Sequence, residues 1–360
     1  MERMMREVVS GLACYSDVTV IGPRGCADYL PENVFSIETS PHLSGFLLSS
    51  TIQALYLCRS KSFNIIIGGS GLTGPSLALL QRVFKVQTAI FLHGLDLVAP
   101  SWVYQKIFIP LIRRANRVLA NSHNTANLAR DRGVPDGKIT VINPGCHPAD
   151  PLAHQRVSSF REEYDLEGRP IILFVGRMTR RKGLSQFIKH SLPGIFKSVP
   201  EAALLVVGDE PSNSLDQRGE KQAVIDSLGK LTSEHRQRVR FLGQVSDDVL
   251  NTCYFAANVH VFPILNIPGD VEGFGMVVIE AASYGTPTVA FDVGGVADAI
   301  GGDGGLLVDE GDYHDLSTKL VDLLLSPTDW EERCRKHASQ FSWERFNREL
   351  SSQLIYDTDT

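Results

Sequence analysis

At 360 residues, with 43% hydrophobic content and a mean hydropathy near zero, the chain is long enough for two globular domains, each with a full core. The net charge of −6 is unevenly shared: residues 1–165 hold 16 Lys+Arg against 13 Asp+Glu (+3) and residues 166–360 hold 19 against 28 (−9), so the acidic second half argues against nucleic acid as a partner. No apolar run reaches the length of a membrane span and no leader peptide is recognisable. The six cysteines form neither a Cys-x-x-Cys nor a Cys/His cluster, which predicts a cytoplasmic protein without a disulfide framework or a structural zinc.

In chain order, residues 2–13 read as a helix, with Met5, Val8, Val9 and Leu12 at helical spacing. Short strands are predicted over 17–22 and 33–37, an apolar-periodic helix over 43–58, and a buried strand over 63–67. The run Gly68-Gly-Ser-Gly-Leu-Thr-Gly74 then leads into a helix through Val83. The next strand, 86–92, ends at His93-Gly94-Leu95-Asp96. A helix over 102–115, a strand over 117–120, a helix capped by Ser122 and a strand over 138–142 follow. This alternation predicts a parallel sheet covered on both faces. The chain opens on what reads as the second member of a βαβ unit. The expectation is that the natural protein carries roughly 10–20 residues more, enough for a strand and a glycine turn.

Asn143-Pro-Gly-Cys-His-Pro148 interrupts the pattern and marks a domain junction, giving domains over 1–148 and 149–340. Residues 341–360 read as a C-terminal helix and tail that pack back on the first domain. In the second domain a helix is predicted over 160–164 and another from Leu184, after the loop over 176–183, with strands over 170–175, 203–207 and 239–242. A helix over 249–256, a strand over 258–262, a helix from Gly275 to Tyr284 and strands over 287–291 and 306–308 come next. Helices over 313–325, 328–340 and 342–355 close the chain.

Two stretches carry chemistry. Glu272-Gly-Phe-Gly-Met-Val-Val-Ile-Glu280 places one glutamate in a loop, two glycines after it, and a second glutamate inside the helix that Gly285 and Pro287 stop. A helix start binds phosphate through free N–H groups and its dipole, so the stretch suits a ligand with an anionic middle and hydroxyls at its ends. A nucleotide sugar has that shape. Arg177 and Lys182 lie in the loop after the strand 170–175, where open α/β sheets bind ligands; a forked guanidinium and a point ammonium suit a pyrophosphate. Arg180 and Arg181 read as solvated loop charges.

Taken in order, Gly176-Arg177, Lys182-Gly183, Glu272-x7-Glu280 and Gly294-Gly295 resemble the family 4 glycosyltransferases of the GT-B fold. His93-Gly94, Asn121-Ser122 and Val141-Ile-Asn-Pro-Gly145 extend the resemblance over about residues 86–310. It implies an α/β protein of GT-B architecture, two Rossmann-like doubly wound domains facing across a cleft. It also implies a retaining hexosyltransferase that uses a nucleotide-diphosphate sugar, needs no metal or other cofactor, and lets the departing phosphate oxygen take the acceptor proton. Carried over by position, Arg177 and Lys182 would bind the donor diphosphate, Glu272 the hydroxyls of the transferred sugar and Glu280 the ribose. Gly176, Gly273, Phe274, Gly275, Met276 and Val277 would line the donor through their backbone, with Asp209 and Gly243 beside it. His93 would reach the donor sugar from the first domain.

Other readings stay open. Gly69-x-Gly71-x-x-Gly74, with Asp96 beyond it, has the spacing of a dinucleotide fingerprint, but that reading leaves the second half unexplained. Gly69, Gly71 and Asp96 are therefore assigned to the acceptor side. His93 is either functional or an ordinary satisfied histidine. Trp102, Tyr104, Phe108, Arg113, Arg114 and Arg117 form either a membrane-facing surface, hence a peripheral contact with the inner face of the cell membrane, or a core helix with solvated arginines. The acceptor is expected to be a glycan or a lipid-linked molecule, in surface polysaccharide or lipopolysaccharide synthesis. The rival readings are a non-catalytic or truncated nucleotide-sugar-binding protein of the same fold, or an epimerase or phosphorylase. Asp357-Thr-Asp359 is the only Asp-x-Asp and lies in a polar tail. Two departures stand out: Asp298 where Glu is usual, and Tyr284 where a small residue is usual.

Overall fold

The structure is a computed structural model that describes residues 2–210, 219–326 and 330–354; the tail with Asp357 and Asp359 lies outside them. The chain divides into two compact units, residues 1–145 with 343–360, and residues 146–342.

The first unit runs α1 (Glu2–Leu12), β1 (Thr19–Pro23), β2 (Phe35–Thr39), α2 (Leu43–Ser60), β3 (Ile65–Gly68), α3 (Gly74–Phe84) and β4 (Gln87–Leu92). It continues through α4 (Leu95–Val98), a widened helical turn at Tyr104–Phe108 into α5 (Ile109–Ile112), β5 (Arg117–Ala120), α6 (His123–Asp131) and β6 (Ile139–Val141). α6 starts as its sequence requires, with the Ser122 hydroxyl accepting from Thr125 N at 3.0 Å.

The expected single sheet is divided. β1 and β2 form one parallel pair, and β3-β4-β5-β6 form a separate parallel sheet. β1 and β3 each pair on one side only among the described residues, and the strand read as buried, β3, is half-buried for that reason. β4 and β5 have partners on both sides and are sealed, with Ile90, Leu92, Val118 and Leu119 inaccessible. The helical stretch before β5 turns Tyr104, Ile109 and Ile112 into this core, and Tyr104 stacks on Phe108 with ring centroids 4.9 Å apart. Trp102 stays 71% exposed and Arg113 and Arg114 face solvent. Among the described residues no helix is long and apolar enough to cross a membrane.

The second unit runs α7 (Ala153–Glu163), β7 (Ile171–Val175), α8 (Leu184–His190), α9 (Leu192–Ser198), β8 (Ala203–Val207), α10 (Glu220–Gly229), α11 (Ser233–Arg236) and β9 (Val239–Gly243). Then come α12 (Asp247–Ala256), β10 (Val259–Phe262), α13 (Met276–Ser283), β11 (Thr288–Phe291), α14 (Val296–Ile300), β12 (Gly305–Val308), α15 (Tyr313–Leu325) and α16 (Trp330–Ala338). α17 (Trp343–Leu354) belongs to the first unit, where it packs on α1. α7 is longer than the short helix expected, the helix expected from Leu184 is divided into α8 and α9, and α10, α11 and α14 were not expected.

The six strands of the second unit form one parallel sheet in the order β12-β11-β10-β7-β8-β9. β7 and β8 are buried at every residue, which is why each reads as an unbroken apolar run rather than an alternation. The chain leaves β7 toward β8 and β9, then returns to place β10 on the other side of β7. The loops after β7 and β10 therefore diverge around a crevice at the carboxyl edge of the sheet, the topological switch point where α/β sheets bind ligands.

Candidate active site at the switch point of the second unit

The loop after β7 holds Gly176, Arg177, Arg180, Arg181 and Lys182, and the loop after β10 holds Asp270, Glu272 and Gly273. The two are stitched by Leu265 N donating to Arg181 O at 2.8 Å. Glu272 Oε2 accepts from Lys182 Nζ at 2.7 Å and from the guanidinium of Arg181, whose Nε donates to Asp270 Oδ1 at 2.9 Å. The side chains of Arg181, Lys182 and Glu272 are only 9%, 11% and 13% exposed. Lys182 Nζ also stands 4.4 Å from the ring centroid of Phe262, a cation–π contact at the end of β10.

Burial by itself would raise the pKa of Glu272, but Lys182 and then Arg181 override it and hold the carboxyl at about 2. Burial lowers the pKa of His260, with Lys182 adding to the effect, so it falls to about 3 and the ring is neutral. Its Nδ1 is 3.0 Å from Thr288 Oγ1. The site thus contains a desolvated ammonium, a desolvated guanidinium and two carboxylates, while Arg177 remains exposed beside them.

Arg181 departs from its sequence reading. Taken as a solvated loop charge, it is buried and bridges two carboxylates, whereas Arg180 is exposed as expected. Asp270 was also missed. The available signal was its place two residues before Glu272, facing a loop with more cations than one carboxylate can neutralise.

Backbone geometry fixes Glu272. Its carbonyl accepts from Gly295 N at 3.0 Å, and a Cβ on Gly294 (φ 63°) would lie 2.5 Å from that same oxygen. The Gly294-Gly295 turn is therefore the seat of the Glu272 loop. Gly208 is required on the other side: at φ 120°, a Cβ there would lie 2.1 Å from Gly176 O. Gly176 N donates to Val207 O at 3.0 Å and Gly208 N to Gly243 O at 2.8 Å, so Gly176 and Gly243 lie on one laced strand-end edge. Asp209 Oδ1 accepts from Glu210 N at 2.7 Å and from Lys221 Nζ at 3.0 Å, and these bonds hold its carboxyl below the usual range.

Gly275 caps α13, which begins at Met276 and stops where Gly285 takes a φ of 85°. A helix start presents N–H groups that its own turns do not use. Phe274 turns away from that end into the core, 2% exposed, with its ring 5.8 Å from Phe341. Met276 and Val277 are half-buried. Glu280, in the second turn, accepts from Tyr254 OH at 3.0 Å. Tyr284, unusual by sequence, stacks on Tyr254 at 5.8 Å, and its hydroxyl accepts from Asp150 N at 3.0 Å. The aromatic pair thus builds the wall that carries Glu280.

The first unit brings its own candidates together. Asp96 accepts from His93 N at 2.8 Å and from Gly71 N at 3.0 Å, so one carboxylate ties two loops. His93 Nε2 is 2.9 Å from Gly69 O; a carbonyl only accepts, so Nε2 carries the hydrogen. Burial lowers the pKa of His93, against the opposing pull of Asp96.

Two family models match the chain, Glycosyltransferase Family 4 over residues 1–150 and Glycosyl transferases group 1 over residues 169–326. A D-inositol 3-phosphate glycosyltransferase of Catenulispora acidiphila is 30% identical over 246 residues, 65% of this chain and 54% of that protein. A GDP-mannose-dependent alpha-(1-6)-phosphatidylinositol monomannoside mannosyltransferase of Mycolicibacterium smegmatis is 33% identical over 200 residues, 54% of this chain and 49% of that protein. The chain spans about half the length of the curated relatives it matches. The crystal structure of Anabaena HepE in complex with UDP-glucose superposes with a TM-score of 0.76 at 19% identity, covering 99% of this chain and 95% of that one.

Proposed function

The chain belongs to the family 4 glycosyltransferases and has their GT-B fold, and from that premise we propose that it moves a hexose from a nucleotide-diphosphate sugar to a hydroxyl of a glycan or lipid-linked acceptor. The observation that carries the proposal is the charge arrangement at the β7/β10 switch point: a desolvated Lys182 and an exposed Arg177 in one loop, an ionised Glu272 in the other. Burial works against the ammonium of Lys182, and Arg181 and Arg177 add to that, so further anionic charge is welcome beside it.

In this reading Arg177, Lys182 and the start of α13 receive the diphosphate and stabilise it as it leaves, by charge already in position before the bond breaks. Gly176, Gly273, Phe274, Gly275, Met276 and Val277 present backbone to the donor. Glu272 orients hydroxyls of the transferred sugar, Glu280 those of the ribose, and Asp209 and Gly243 border the nucleoside. The bond from the anomeric carbon to the phosphate oxygen breaks, the acceptor oxygen bonds that carbon on the same face, and the acceptor proton passes to the departing phosphate oxygen. Such a retaining path asks neither for a carboxylate base nor for a metal ion. His93, Gly69, Gly71 and Asp96 are assigned to the acceptor side.

The relatives point to the donors to try first: the Mycolicibacterium smegmatis protein is GDP-mannose-dependent and HepE holds UDP-glucose. Thermal-shift measurements with UDP-, GDP-, ADP- and dTDP-sugars should show one nucleotide class raising the melting temperature, because a ligand that binds only the folded state stabilises it. With that donor, release of nucleoside diphosphate should require an acceptor. A donor that binds without such release on any acceptor would replace this reading with a nucleotide-sugar-binding protein, whereas a change of sugar configuration would favour an epimerase and transfer of the sugar to inorganic phosphate a phosphorylase.

A further inference from the structure

Glu272 accepts from two cations at once, Lys182 and Arg181, through the same oxygen. The cations differ in their other ties. Lys182 has only Glu272 as an ion-pair partner among the described residues, whereas Arg181 is anchored a second time by Asp270. A diphosphate that engages Lys182 competes with Glu272 for one ammonium. Glu272 then keeps its place only through Arg181, whose forked guanidinium can hold two carboxylates together, as a lysine at that position could not.

We propose that Arg181, held by Asp270, is the positioning residue of this site: it retains Glu272, ionised and facing the sugar, and so releases Lys182 to the phosphates of the donor. This deepens the nucleotide-sugar reading and rests on it. The charged and titratable groups around Glu272 are Lys182, Arg181 and Arg177 from the loop after β7, Asp270 from its own loop and His260 from β10. Two buried cations face two carboxylates and His260 is neutral, so removing Arg181 leaves Lys182 as the sole buried cation for Glu272.

The test has two arms. Calorimetry with UDP and GDP, which carry no sugar, compares wild type with R181Q, R181K, E272Q and the double variant R181Q/E272Q. R181Q should weaken binding of the preferred nucleotide about tenfold to a hundredfold, the scale of one charge-assisted bond, because Glu272 now claims Lys182. R181K should fall between. The double variant should bind more tightly than R181Q, since no carboxylate remains to occupy Lys182. A merely structural arginine would leave the double variant no better than R181Q, and that result overturns the proposal. The second arm uses no nucleotide: carbon-13 carboxyl titration should show Glu272 protonating at higher pH in R181Q than in wild type, and an unmoved titration also overturns it. If wild type binds neither of these nucleotides nor ADP or dTDP, the donor reading fails while the titration still decides whether Arg181 holds Glu272. If R181Q does not fold, D270N, which loosens the anchor alone, should move both readouts the same way by less, and no movement in D270N overturns the proposal.

Discussion

Glu272→Gln is the sharpest probe of the buried charge network. Glu272 is 13% exposed between Lys182 and Arg181 and its carboxyl is held at about 2, against an ordinary value of 4.5. A carboxylate whose folded pKa is depressed adds stability that is complete above the unfolded value and is lost as pH falls through the folded one. The window therefore runs from 4.5 down to about 2. A gap of that size corresponds to on the order of 3 kcal/mol at pH 7. Breaking a buried ion pair, which leaves Lys182 uncompensated, independently suggests about 3–5 kcal/mol. Glu272→Gln should thus lose about 3 kcal/mol of unfolding free energy at neutral pH, and its deficit should shrink to roughly half by pH 3, where Glu272 is protonated in the unfolded wild-type chain and still mostly ionised in the folded one. Urea titrations of both proteins at pH 7, 5 and 3, followed by far-ultraviolet circular dichroism, measure this as a shift in the midpoint of the second unit's transition. Equal midpoints at pH 7, or a deficit as large at pH 3 as at pH 7, would refute the view that Glu272 is an ionised, cation-bound group in the folded protein.

Arg177→Ala and Glu280→Ala should each weaken donor binding by on the order of 1.5–3 kcal/mol without unfolding the protein; calorimetry with wild-type affinity in both would remove them from the site. Gly294→Ala should cost about 1–3 kcal/mol of stability through backbone strain and also weaken donor binding, because the added methyl meets the Glu272 carbonyl. An alanine variant with unchanged unfolding and binding would show that the turn does not seat that loop. Turnover should survive EDTA, since Arg177, Lys182 and the start of α13 supply the charge opposite the diphosphate; loss of activity restored by Mg²⁺ or Mn²⁺ would show that they do not suffice.

Features that depend on neighbours along the chain are legible in the residues alone. Apolar runs such as Ile171–Val175 and Ala203–Val207 are buried parallel strands whose hydrophobicity is continuous because both faces are covered. Ser122 and Gly285 punctuate helices through local hydrogen bonds and backbone angles, so the limits of α6 and α13 were legible within a residue or two. The ordered glycines, basic residues and glutamates of the second half identified the family, because their spacing reflects loops of fixed length at strand ends. How distant loops share charge depends instead on the folded chain. Arg181 and Asp270 are 89 residues apart and Tyr254 and Glu280 are 26 apart, and no local pattern says that the first two neutralise each other or that the third holds the fourth. β10 returning to the side of β7 brings the first pair together, and the burial that follows turns a loop arginine from a solvated charge into a bridge between carboxylates. The separation of β1 and β2 from the four-stranded sheet was likewise beyond sequence periodicity, since periodicity says that a segment is a strand and leaves its edge partners to the ladder it joins.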